Sequence, residues 1–362
     1  MRDPRVAKVA QILVGYSTQV REGEVVEIYA FEGAKPLFLA VYREVVRRNP
    51  KEIIRDIRFD EMDEIFFQEA SQAQLDRFPE IEMYQTQHTD VWIGIRAYGN
   101  TRLLTSAPPE KLARRSRVLM PIRRERVRNT RWVLTVFPTN AVAQEADMSL
   151  SEFEDFYYHA VDIDWRKLSQ EQEEIKELFQ KGREVTIKAE DTHITMKIEG
   201  RTVISADGKL NMPDGEIFTA PLEDSVKGHI KYTYPAIYSG QFGSGREVDG
   251  VELWFEDGEV VKAKATKGEE FLLEMLAADE GAKWVGELGI GNNFAIDRFV
   301  KNILFDEKIG GTIHLALGDS YEETGGKNES AIHWDMIKDL RYGGEIYLDG
   351  ELIQKDGVWV YK

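Results

Sequence analysis

DEKIGGTIHLALGDSYEETGGKNESAIHWD, residues 306–335, is the stretch around which the second half of the chain is organised. Ile309-Gly310-Gly311-Thr312 has the composition of a turn, and Ile313-His314-Leu315-Ala316-Leu317 then reads as the start of a strand. His333-Trp334-Asp335 closes the stretch as a His-x-Asp. Side chains alternate between the two faces of a strand, so His333 and Asp335 project to the same side. Gly318, Gly325 and Gly326 let the intervening backbone fold tightly. Two of the six histidines lie here, with Glu307, Asp319, Glu322, Glu323 and Asp335. Imidazole and carboxylate together suit first-row divalent ions such as Zn, Co or Mn, whereas Mg and Ca prefer oxygen alone. The stretch therefore predicts a transition-metal site carried on strands.

Working outward, the second half is strand-rich. Short alternating segments at 185–189, 193–198, 250–255 and 259–264 follow one another, with Glu256-Asp257-Gly258 as a hairpin turn and one helix over 267–279. Gly243-Ser-Gly245 reads as an ordinary turn. The first half has a different rhythm. Helices over 5–16, 35–48, 60–77 and 109–127 alternate with strands at 24–30, 52–58, 90–96 and 131–137, the last stopped by Pro138. Such alternation predicts an α/β layer on a largely parallel sheet. A charged helical stretch over 149–181 joins the halves, and Lys181-Gly182 marks the change of pattern. The expected organisation is an α/β domain over 1–182 and a strand-rich α+β metal-binding domain over 183–362, and a chain of 362 residues is long enough for two.

The net charge of −17 argues against a nucleic-acid partner, because phosphates call for a basic face. The arginine-rich run over 111–131 reads as a solvated helix face, since no aromatic residues interleave to stack on bases. With no cysteine, neither a disulfide framework nor a thiolate site is possible, and a reducing compartment is expected. The opening residues have an amphipathic helical pattern rather than that of a signal peptide, and no uninterrupted apolar run of about 18 residues occurs. A cytoplasmic protein with no membrane association is the expectation. The glycine pattern of a dinucleotide loop is missing after the first strand, as are His-Glu-x-x-His and Gly-x-Ser-x-Gly. Water activated by metal is the nucleophile that remains.

Two further carboxylates stand out. Glu216 follows a Pro/Gly turn in 211–221 and is ordinary by itself. Glu287 sits in the apolar, glycine-rich run 284–293, where burying an unpaired carboxylate is costly and a cation would remove the cost. Tyr321, taken alone, is open between packing under a loop and donating a hydrogen bond at a site.

Taken in order, GEIFTAP (215–221), GELGIG (286–291), FDEKIGGTIHLALGDSY (305–321), GGKNESAIHWD (325–335) and GGEIYLDGELI (343–353) resemble the aminopeptidase T / aminopeptidase S / PepS family of dinuclear metallo-aminopeptidases, the thermophilic metalloproteases. Phe137-Pro138-Thr139 and Ala143-x-x-x-Asp147-Met148-Ser149 extend the likeness to the first half. The resemblance implies two divalent ions held by Glu216, Glu287, Glu307, His314, His333 and Asp335. It further implies a hydrogen bond from Tyr321 to the oxyanion or the substrate carbonyl, release of N-terminal residues from short peptides, and a homodimer; among the carboxylates, Glu287 is the one expected to carry the water proton. Gly310-Gly311 lengthens the Glu307–His314 segment, and the loop from Tyr321 to His333 is short, so specificity is open. A metal-dependent dipeptidase or amidohydrolase on small substrates, or a non-catalytic metal-binding relative, are the competing readings.

Overall fold

The computed structural model describes residues 3–238 and 245–361, so Gly243 and Ser244 of the glycine-rich turn lie outside the described residues. Among the described residues the chain forms two compact units, one from 3–163 with 208–213 and Gly245, the other from 164–207, 214–238 and 246–361.

The first unit is the expected α/β layer. Glu52–Arg58, Val25–Phe31, Val91–Arg96 and Arg131–Val136 lie side by side in that order, joined by the short Asn211–Met212, and every pair is parallel. Val91–Arg96 is buried at almost every position, as a strand covered on both faces must be, whereas the edge strand Glu52–Arg58 keeps a half-exposed alternation. The pattern over 60–77 predicts one helix, but the structure has two, Asp60–Glu69 and Gln72–Asp76. Ser71 interrupts it by capping the second through a reciprocal pair with Gln74. Helix Glu80–Gln87 lacks a strong apolar stripe and went unread in the sequence. The arginine-rich helix Pro109–Asn129 pairs outward, with Arg114 on Asp76. Among the described residues, no helix is long and apolar enough to cross a membrane.

The second unit begins earlier than the change of pattern at Gly182 predicts. The stretch over 149–181 breaks into Leu150–Val161 and Trp165–Lys181, because Asp164 caps the second helix by accepting from the backbone N–H of Arg166 and Lys167. Trp165–Lys181 then buries Leu168, Ile175 and Phe179, and Gln172 donates to the carbonyl of Glu216. That apolar stripe places the helix with the strands that follow it.

Two antiparallel sheets share one core in this unit. The larger has eight strands, from Glu259–Lys264 at one edge to Val358–Trp359 at the other. Its hairpin at Asp257-Gly258 has φ of 46° and 89°, the left-handed pair such a turn requires. The smaller sheet runs His333–Asp339, Thr312–Gly318, Val285–Gly291, Glu216–Thr219 and Ile204–Ala206, each pair antiparallel. Leu288, Ile290, Ile313, Leu315, Leu317, Trp334 and Met336 from one face of this sheet join Val185, Ile187, Ile194, Leu253 and Phe255 of the larger one in a single apolar cluster. Period-2 alternation therefore turns Glu216, Glu287, His314, His333 and Asp335 to the other face.

Phe179, in the same cluster and 2% exposed, tests where the helix belongs. Phe179→Ala is expected to lower the unfolding free energy of the second unit by about 3–5 kcal/mol in urea titrations. A loss below about 1 kcal/mol would mean that the helix is not part of that core.

Candidate metal centre

The register of the smaller sheet assembles the site. Asp335 lies opposite Ala316, which lies opposite Glu287; His333 lies opposite Gly318, His314 opposite Gly289, and Glu216 opposite Gly291. Each of these five side chains thus has a glycine or alanine as a cross-strand neighbour. At Gly289 a side chain is excluded, because a Cβ there would overlap the His314 ring.

The heads meet. His314 Nε2 lies 3.3 Å from Glu216 Oε2 and 3.4 Å from Glu287 Oε1, and His333 Nε2 lies 3.3 Å from Glu287 Oε2 and 3.6 Å from Asp335 Oδ1. Glu287 therefore sits between the imidazoles with one oxygen toward each. Three overlapping sets have their donor atoms within 4.8 Å of one another: Glu216–Glu287–His314, Glu287–His333–Asp335 and Glu307–His314–Asp335. All six residues that the resemblance marks as ligands are in these sets. Asp319, Glu322 and Glu323 are not, although Asp319 contributes its carbonyl, 2.8 Å from His333 Nδ1. A carbonyl only accepts, so Nδ1 carries a proton and Nε2 is the nitrogen turned to the carboxylates, the one a metal would take once its own proton is lost.

Glu307 arrives from outside the sheet. It follows the short helix Ile303–Asp306, whose Asp306 carboxylate accepts the backbone N–H groups of Val300 and Asn302 at 2.7 Å each and fixes the turn. Backbone bonds from Asn293 N to Lys308 O and from Gly310 N to Asn293 O then hold the segment against the end of Val285–Gly291. Gly311, at φ 82°, makes the turn into the His314 strand. The next residue, Lys308, was not singled out in the sequence. It is fully buried, with Nζ 3.0 Å from Glu216 Oε1 and hydrogen-bonded to Glu307. The one signal for it was a lone lysine between two candidate ligands in an otherwise apolar, glycine-rich turn.

Concentrated charge shifts Glu216, Glu287, His314, His333 and Asp335. Burial pushes the Glu216 carboxyl up to about 8 despite Lys308, and Asp335 up to about 6 despite His333. Burial also opposes ionisation of Glu287, but hydrogen bonds from His314 and His333 outweigh it and hold that carboxyl down at about 2. Burial alone would lower the imidazoles, yet Glu287 and Glu216 raise His314 to about 9, and Asp335 and Glu287 raise His333 to about 10. Tyr321 is 47% exposed as a whole residue, its ring 5.0 Å from His333 and 5.6 Å from Phe218. Desolvation of its hydroxyl and the surrounding carboxylates keep the phenol protonated well beyond its ordinary range.

The residues fit a divalent metal. Buried Glu216 Oε2 and Asp335 Oδ1 have no hydrogen-bond partner among the described residues, and each belongs to a residue of a donor set. Orphaned buried carboxylate oxygens are costly, and a cation between them removes the cost. Mixed imidazole and carboxylate donors match Zn, Co or Mn.

The family model for thermophilic metalloprotease (M29) matches residues 2–359. Aminopeptidase AmpS of Bacillus subtilis (strain 168) is 32% identical over 206 residues, 48% of this chain and 48% of that protein. Aminopeptidase T of Thermus aquaticus is 31% identical over 205 residues, 49% of this chain and 47% of that one. The chain thus spans about half the length of the curated relatives it matches. Among solved structures, wild-type AmpT from Thermus thermophilus superposes with a TM-score of 0.86 at 22% identity, covering 99% of both chains. A dihydroxypyridine dioxygenase from Pseudomonas putida KT2440 reaches 0.61 at 14% identity, covering 99% of this chain and 97% of its own. At such identities the superpositions show the fold.

Protons and metal compete for the same lone pairs, so the raised values set a sign. Glu216, Asp335, His314 and His333 each shed a proton to ligate, so affinity must rise as pH climbs from about 6 toward 10. Co(II) titrations of chelator-treated protein at pH 6, 7 and 8 are expected to show binding tightening by about tenfold per pH unit for each proton released. A flat profile would contradict this donor set.

Proposed function

The chain belongs to the thermophilic metalloprotease (M29) family, and from that premise we propose that it is an aminopeptidase that releases N-terminal amino acids from short peptides with two divalent ions, Zn, Co or Mn. The observation that carries the reading is the convergence of Glu216, Glu287, Glu307, His314, His333 and Asp335, with two buried carboxylate oxygens that accept no hydrogen bond among the described residues. In this reading those six would be the ligands, with Glu287 the carboxylate not fully engaged by metal.

Such ions, when bound, polarise a scissile carbonyl and bring the pKa of water toward neutrality. The protein's own groups do the rest. Glu287 is held at about 2 by its two imidazole neighbours. Neutral imidazoles release that hold, and Glu287 is then placed to take the water proton and return it to the leaving amine. Tyr321 stays a phenol and donates a hydrogen bond to the developing oxyanion. A peptide's free α-amino group would be fixed by a metal or an acidic side chain, which confines cutting to the N-terminus. The reading extends to a cytoplasmic setting, supported by the absence of cysteine, and to a homodimer, supported by the family resemblance.

With Co(II) restored, the protein is expected to hydrolyse leucyl p-nitroanilide and leave the N-acetylated compound untouched. Glu216→Ala should cut kcat/KM by about a hundredfold or more, in line with loss of a group that acts at the reacting atoms. Equal turnover of the blocked substrate would favour an amidohydrolase, and metal uptake without any hydrolysis would favour a non-catalytic relative.

A further inference from the structure

Lys308 is tied to the centre in a way the proposed reaction does not use. Its backbone is anchored on both sides, the N–H donating to Phe305 O and the carbonyl accepting from Asn293 N, each at 3.0 Å. Its side chain is therefore delivered into the cluster, where the ammonium binds Glu216 and Glu307. Each of these belongs to a different donor set, Glu216 with Glu287 and His314, Glu307 with His314 and Asp335. The remaining set, Glu287–His333–Asp335, makes no hydrogen bond or ion pair with Lys308 among those the structure shows.

We propose that Lys308 is a built-in cation of the metal centre that competes for the Glu216–Glu307 side, so that the two ion positions fill unequally. The first ion enters at Glu287–His333–Asp335, where no ammonium stands. A second ion has to share Glu216 and Glu307 with a positive charge only a hydrogen bond away. The four carboxylates less the lysine present three net negative charges to the first dication, and only one to the second. In a buried site, poorly screened by solvent, that difference is large. The proposal rests on the metal site of the preceding section and concerns the order and strength of loading rather than the reaction.

The test is calorimetric and absorbance titration of chelator-treated, full-length protein with Co(II) alone, which reads stoichiometry without reference to turnover. Two steps are expected, the second at least about tenfold weaker than the first. Lys308→Met should bring the second step at least about tenfold closer to the first, while Glu307→Gln should weaken the second step and spare the first. Two equal steps in the parent protein would overturn the proposal, as would a weaker second step in Lys308→Met, which would make the lysine a group that positions its carboxylates for metal. The parent titration and Glu307→Gln decide the matter even if Lys308→Met fails to fold. Absence of any Co(II) uptake would overturn both this proposal and the metal site beneath it, whereas two unequal steps without peptidase activity would leave this one standing.

Discussion

Four carboxylates crowded onto one face of a buried sheet repel one another, and the second unit depends on how that repulsion is answered. Glu216, Glu287 and Asp335 are on strands, Glu307 on the turn that abuts them, and all four share neighbours within a single cluster. Two imidazoles and one lysine answer part of the charge. The rest appears as displaced protonation: Glu216 pushed up to about 8 while Glu287, a few ångströms away, is held near 2. Chemically similar groups forced this far apart mark a site built for a task rather than for stability, since apolar side chains of similar size would fold better there.

The fold tolerates this by separating the two faces of the sheet. Leu288, Ile290, Ile313, Leu315 and Leu317 lock one face into the shared core, so a register slip of one residue would bury the charges in that core and expose the leucines. The functional face has little freedom to rearrange in consequence. Gly289 leaves the volume that the His314 ring occupies, whereas Gly291 and Gly318 admit the backbone of Ile309 and Ile332. The helix Trp165–Lys181 adds support from outside, where Gln172 takes the carbonyl of Glu216. Precision at the site thus follows from hydrophobic burial one atom layer away.

Legibility in the sequence followed the range of the interaction. Strand parity is local, so the pairing of His333 with Asp335 on one face could be read from their spacing, and the helix–strand alternation of the first half was equally plain. Glu216 could not be located from its own surroundings. Its place beside His314 is set by the pairing of Gly291 with Glu216 and of Gly289 with His314, contacts across many residues of chain. The membership of helix Trp165–Lys181 was obscured for a similar reason: Gly182 is a visible break, whereas Asp164, the cap that starts the helix, is one acidic residue in a charged stretch. Lys308 was hidden by prior expectation, because a lysine that follows an Asp-Glu pair usually faces solvent.

Architecture alone leaves the chemistry open. A dioxygenase superposes on this chain with a TM-score of 0.61 at 14% identity, so the scaffold tolerates great sequence divergence, and a reaction has to be argued from donors and their surroundings. Here the donors differ in character. One end of the cluster, Glu287 with His333 and Asp335, lies next to the Tyr321 ring, and the other end, Glu216 with Glu307, is already partnered by an ammonium. Lys308 is held at the far end by the backbone bonds of its segment to Phe305 and Asn293, so the asymmetry of the centre is written into the turn that carries Glu307.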